Sequence, residues 1–155
     1  MGDREQKLEA AGYPLDRGPK EGPIIDLLTV LGDTVYASGQ VPFDAGVLTS
    51  KGKVPSQVSV EDATKAAALC AANILRAIVV KLGSLDKIER VVRVTGYVNT
   101  DPDFTDCHLV INGATDLLKA VFGPEAGKHA RTALGMGQLP LGTSVEVEAI
   151  FQLKK

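Results

Sequence analysis

The residues of this chain best suited to chemistry lie in its last quarter, HARTALGMGQLPLGTSVEVEAIFQ, from His129 to Gln152. Arg131 is a permanent planar cation that can grip a carboxylate through two parallel hydrogen bonds, which a lysine cannot do. Glu146 and Glu148 sit in a run that alternates without a fault. Val145, Val147, Ala149, Phe151 and Leu153 share one face, while Ser144, Glu146, Glu148, Ile150 and Gln152 share the other. Period two predicts a half-buried strand with both glutamates on its less apolar face. Leu-Pro-Leu-Gly at 139–142 supplies a turn. If the flanking strands pair as a hairpin, the cation and a carboxylate reach one region of one sheet, a place suited to a small anion.

Other reactive types make weaker cases. Cys107 and His108 are adjacent, but helix neighbours point about 100° apart and cannot easily bond each other. Both read as helix-surface residues, and Cys70 reads as core. There is no CxxC, and His108 and His129 lie far apart in sequence, so no metal, cofactor or disulfide framework is expected.

The elements that must carry these residues follow from pattern. Residues 1–23 read as an N-terminal arm, with a short helix over Arg4 to Ala11 and repeated Gly and Pro breaks after it. Residues 24–155 read as one domain. It opens with extended segments Ile24–Val30 and Thr34–Ser38, joined by a Gly32-Asp33 turn. A helix begins at Ser59, a natural N-cap, and ends at Gly83. Its stripe of small residues suits close packing, Asn73 within that stripe is expected to satisfy a nearby backbone group, and Arg76 lies toward the negative helix end. Lys87 to Thr100 reads as a long strand, with Val91 assigned to the face away from Val94. A second helix starts near Asp103 or Thr105 and stops at Gly123-Pro124, with Gly113 a weak point. The order ββ-α-β-α-ββ indicates an α+β fold, a mixed sheet with two helices on one face. The uncovered face, carrying Ile150 and assigned Val91, Leu134 and Met136, would be buried by self-association into a closed homo-oligomer.

Bulk properties exclude several classes. The net charge of −2, with three Tyr, four Phe and no Trp, argues against a nucleic-acid partner. A charged N-terminus and no apolar stretch of membrane-spanning length lead to the expectation of a cytoplasmic protein without a membrane partner.

Taken in order, VYASGQVP (35–42), NILRAI (73–78), VNTDPDF (98–104), HARTAL (129–134) and LPLGTSVEVEAI (139–150) resemble the YjgF/Rid family, the L-PSP-type reactive-intermediate imine deaminases. The resemblance spans roughly residues 24–153. It implies a chorismate-mutase-like sandwich and a homotrimer with clefts between subunits. It also implies hydrolysis of 2-imino or enamine acids to 2-keto acids and ammonia. By motif, Arg131 grips the substrate carboxylate, Glu146 orients the water, and Ser38 and Gly39 line the cleft. The cleft tyrosine and cysteine of the family correspond here to Ile25 and Ala133. The segment between Asp103-Phe104 and Phe122-Gly123 is longer than usual, and residues 1–23 are extra. The resemblance leaves two alternatives to a deaminase: a non-catalytic metabolite-binding or regulatory trimer, and an endoribonuclease of the L-PSP type.

Overall fold

In the computed structural model, which describes all residues Met1–Lys155, the helical segments form where end signals bracket apolar periodicity. Helix α1 is Asp3–Ala10, α2 is Val60–Leu82 and α3 is Cys107–Phe122. At the start of α2, Ser59 accepts from the Asp62 amide at 3.0 Å. At its end Gly83 adopts the left-handed conformation, φ 88°, that glycine takes without a steric penalty. By length and composition α2 meets the requirement for a membrane span, contrary to expectation, yet 67% of its most apolar stretch is buried inside the protein. It is the central core helix.

Helices α2 and α3 pack on each other and on one face of the sheet. Gly113 explains how closely they approach. A Cβ there would stand 2.0 Å from the Thr64 carbonyl oxygen of α2, so the residue that weakens α3 locally is the one that lets the helices cross. Gly96 plays a similar part where the sheet meets Ile111.

The seven strands are β1 (Leu28–Leu31), β2 (Thr34–Gln40), β3 (Phe43–Asp44), β4 (Val47–Leu48), β5 (Ile88–Asn99), β6 (Ala130–Met136) and β7 (Val145–Leu153). Five form the main sheet in the order β1-β2-β7-β5-β6, and β3-β4 is a small separate hairpin. The Gly32-Asp33 turn joins β1 to β2 as expected, with Leu31 paired to Thr34. The fold is α+β with a mixed sheet. Only β5 and β6 run parallel, and α3 supplies the long crossover that parallel neighbours require.

Two expectations fail here. Strands β6 and β7 do not form a hairpin, because β5 lies between them. The 139–142 segment is a 3-10 turn in which Leu141 takes φ 60°, and it leads the chain away from the β6 edge. Strand β7 then enters the middle of the sheet, antiparallel to both β2 and β5. The second failure concerns β5. Register breaks at Ile88/Arg90 and Val91/Arg93 reset its alternation, so Val91 is buried in the core while Val92 is exposed. Strand β7 itself keeps the expected phase, with Val145, Val147, Ala149 and Phe151 buried.

The N-terminal arm packs onto the domain. Leu8 is fully buried and α1 lies against α3. Buried Glu5 accepts from the Ser84 hydroxyl at 2.7 Å and the Leu85 amide at 2.6 Å, while Arg4 stacks over the Phe122 ring at 4.7 Å. Beyond α1, Arg76 is buried rather than poised at the helix end. It donates to the Pro14 carbonyl and to Asn73 Oδ1, both at 2.8 Å, and Asn73 in turn donates to the Val41 and Phe43 carbonyls. Cys70 is core, as expected. Cys107 is also buried, which corrects its reading as a surface residue, whereas His108 is exposed.

The uncovered sheet face carries Tyr36, Arg93, Thr95, Tyr97, Leu134, Glu148 and Ile150 by register. Tyr36 and Leu134 are more than two-fifths exposed.

Candidate functional site

Edge strand β6 positions Arg131. Its register partner is Val94, on the helix-covered side of the sheet, and Ala133 follows on the same side opposite Gly96. Facing it, α3 presents Asn112, Thr115 and Lys119 at intervals of three and four residues, hence along one helix face. The Arg131 guanidinium donates to Asn112 Oδ1 at 2.8 Å, Thr115 Oγ1 at 3.1 Å and the His108 carbonyl at 3.4 Å. All three acceptors are neutral, and Arg131 forms no ion pair. Its orientation is fixed and its charge is left uncompensated.

His129 extends this arrangement. Its Nδ1 lies 2.7 Å from the Gly127 carbonyl and its Nε2 lies 3.1 Å from Thr115 Oγ1. A carbonyl can only accept, so Nδ1 carries the proton and neutral Nε2 accepts. Thr115 therefore donates to His129 while accepting from Arg131. Burial pushes the His129 pKa down, and the nearby Arg131 and Lys119 charges push it the same way, against the Gly127 hydrogen bond. These residues border a cavity of about 510 Å³ lined by Asn112, Thr115, Lys119, Pro124, Glu125, Lys128, His129 and Arg131.

Glu146 lies elsewhere. Its register partner is Tyr97, which places it on the uncovered face, the opposite side from Arg131. There it adjoins the β2 irregularity, where a Cβ on Gly39 would come within 2.9 Å of Glu146 Oε1. Gly39 thus leaves room for the carboxylate. Ser38 donates from its hydroxyl to the Asp26 carbonyl at 2.6 Å, tying the bulge to the segment that holds Ile25, itself 63% exposed. Glu148 accepts from the Tyr97 hydroxyl at 3.0 Å, but Glu146 accepts no hydrogen bond from the protein. Burial raises its pKa above the ordinary carboxylate value, and repulsion from Glu148 raises it further.

The six residues singled out by sequence thus fall into two groups. Gly39 and Glu146 meet at the β2 bulge, with Ser38 beside them and bonded to the Asp26 carbonyl next to Ile25, and Arg131 and Ala133 lie on the covered side of the far edge. Within one chain the groups do not meet. Sequence reasoning missed Asn112, Thr115, Lys119 and Lys128. A signal was present: Asn112, Thr115 and Lys119 form a polar stripe on a helix otherwise rich in apolar residues.

A family model described as Endoribonuclease L-PSP matches residues 25–152. The chain belongs to this family. It is 40% identical over 124 residues to Protein TCP17 of Trypanosoma cruzi, spanning 79% of this chain and 76% of that protein. Its fold superposes with a TM-score of 0.87 on the Agrobacterium tumefaciens protein Atu1372, of unknown function, at 41% identity over 97% of this chain and 92% of the other. A candidate endoribonuclease from Shewanella oneidensis gives a TM-score of 0.91 at 26% identity, over 98% and 100% of the two chains. The 97% and 98% coverages of the two solved structures are too high to leave out the 23-residue arm. The YjgF gene product of Escherichia coli, at 21% identity and a TM-score of 0.62 over 90% and 95%, shares the fold. The architecture is the chorismate-mutase-like fold of the YjgF/L-PSP proteins.

Proposed function

We propose that this L-PSP family protein binds small carboxylates through Arg131 and hydrolyses 2-imino or enamine acids to 2-keto acids and ammonia. The observation that carries the proposal is a guanidinium held by three neutral acceptors, bordering a cavity, and in no ion pair with an acid of its own chain. Charge left unpaired at a fixed angle is what a carboxylate ligand needs. Ala133 sits beside Arg131 as a small, non-reactive wall, and Ile25, Ser38 and Gly39 form the wall around Glu146.

The separation of the two groups supports a shared site. Two different surfaces of one chain come together when copies associate head to tail, a contact that forms a ring when the rotation between copies closes. A homotrimer whose clefts pair the Arg131 edge of one copy with the Glu146 bulge of the next fits this geometry and covers the apolar residues of the open sheet face.

In that cleft the substrate carboxylate lies on Arg131 and its iminium carbon faces a water beside Glu146. Glu146 accepts a proton as the water oxygen bonds to carbon, and the C=N electron pair moves to nitrogen. Glu146 then returns the proton to nitrogen and takes the proton of the new hydroxyl as the C=O bond forms and the C–N bond breaks; ammonia leaves with that proton as ammonium, and a 2-keto acid remains. A carboxylate whose pKa lies above the ordinary value is the better base for this exchange. Purified protein is expected to accelerate ammonia release from 2-iminopropanoate, and a rate equal to background would overturn the deaminase reading.

A non-catalytic binding trimer is the second reading, favoured by the apolar residues Ile25 and Ala133 at two wall positions. Keto-acid binding without turnover would establish it. The endoribonuclease reading draws on the family description and on the shared fold with the Shewanella protein. It is less favoured, because the cavity offers no aromatic residue for a base to stack on and the one imidazole there is fully engaged.

A further inference from the structure

The cavity beside Arg131 carries more positive charge than one carboxylate can use. Lys119 comes from the last turn of α3, Lys128 from the loop after it and Arg131 from β6, three cations around one space of about 510 Å³. Glu125 is the one acid in the lining, and it forms no ion pair with any of them. Burial, with the neighbouring Arg131 and Lys119 charges, favours neutral His129 against the opposing pull of its Gly127 hydrogen bond. The lining therefore carries a net charge of about two positive units at neutral pH, and none of its eight residues is hydrophobic. A monocarboxylate neutralises half of this charge. An acid with two anionic groups neutralises all of it.

The division of labour between the cations also fits such a ligand. Arg131 is a flat fork fixed by Asn112 and Thr115, suited to one carboxylate in a set orientation. Lys119 and Lys128 are exposed and without hydrogen-bond partners among the side chains, flexible point charges able to meet a second group over a range of distances.

We infer that the Arg131 cavity selects small acids with two anionic groups, one on Arg131 and the second between Lys119 and Lys128. The inference rests on the carboxylate reading of Arg131 and specifies the substrate class. The second group is a carboxylate, as in imino and keto acids related to acidic amino acids, or a phosphate.

Calorimetric titration of the full chain in low-salt buffer, with 2-oxobutyrate, 2-oxoglutarate and 3-phosphoglycerate as probes, tests this. At least one of the two doubly substituted acids, 2-oxoglutarate with two negative charges or 3-phosphoglycerate with nearly three, is expected to bind about tenfold more tightly than 2-oxobutyrate. Lys119→Gln combined with Lys128→Gln is expected to bring that acid down to the 2-oxobutyrate level, while Arg131→Gln removes binding of all three. Equal affinities in the parent protein would overturn the inference and leave the carboxylate reading standing. No binding of any probe would overturn both. Tighter binding of a single-stranded RNA than of either of these acids would assign the cations to a nucleic acid and also overturn it.

Discussion

The β6–α3 edge and the β2–β7 bulge are built on opposite principles. At the edge, a cation is surrounded by neutral acceptors that orient it and leave its charge unspent. At the bulge, a half-buried carboxylate receives no donor from its own chain and lies near a second carboxylate. Arg131 has no ion-pair partner and neither has Glu146, and the two occupy opposite sides of the sheet. Each is incomplete alone. On the proposal made above, these are two half-sites, completed when the edge of one copy meets the bulge of another.

The largest expected effect falls on the edge. Arg131→Lys keeps the charge but loses the fork, and keto-acid affinity measured by calorimetry should fall about hundredfold. An unchanged affinity would remove the distinction between the two regions, since any cation would then serve. Gly113→Ala also acts on the edge side, through α3. Its methyl meets the Thr64 carbonyl, and urea denaturation should show a loss of about 2–3 kcal/mol. A loss well under 1 kcal/mol would mean that the α2–α3 crossing relaxes freely.

Asn112→Ala should weaken keto-acid binding by about fivefold, because Arg131 retains Thr115 and the His108 carbonyl. No effect would show that Asn112 does not position the guanidinium. The smallest effect belongs to the bulge. Glu146 has a folded-state pKa above its ordinary value of 4.5, so the native state binds its proton more readily than the unfolded state. Stability contributed by this group therefore falls as pH rises through the folded pKa, and below 4.5 the difference vanishes because both states are protonated. Glu146→Gln should raise Tm by about 1–2 °C at pH 8 and leave it unchanged at pH 4. A lower Tm at pH 8 would mean the carboxylate is paired after all.

Much of the fold was legible because its signals are local. Ser59 and Gly83 mark α2, Gly32-Asp33 marks the first hairpin, and the alternation of β7 is unbroken. The partner of each strand was not legible, since pairing joins residues distant in sequence. Leu-Pro-Leu-Gly looks like a hairpin turn, yet the positive φ of Leu141 sends β7 past β5. The two register breaks in β5 moved Val91 into the core without any Gly or Pro to announce them. For the site, motif placed Arg131 and Glu146 together on a presumed hairpin. The structure separates them, and the residues that orient Arg131 come from a helix whose rotation the sequence did not define.

The shared-site claim is tested most directly by mixing two inactive proteins. Arg131→Ala and Glu146→Gln subunits, each without deaminase activity alone, are unfolded together and refolded in equal amounts. If every cleft takes its arginine from one copy and its glutamate from the next, roughly one quarter of the clefts regain both groups, and ammonia release from 2-iminopropanoate should return to about a quarter of the parent rate. Mixed oligomers that remain inactive, while refolded parent protein recovers full activity, would contradict a site shared between copies.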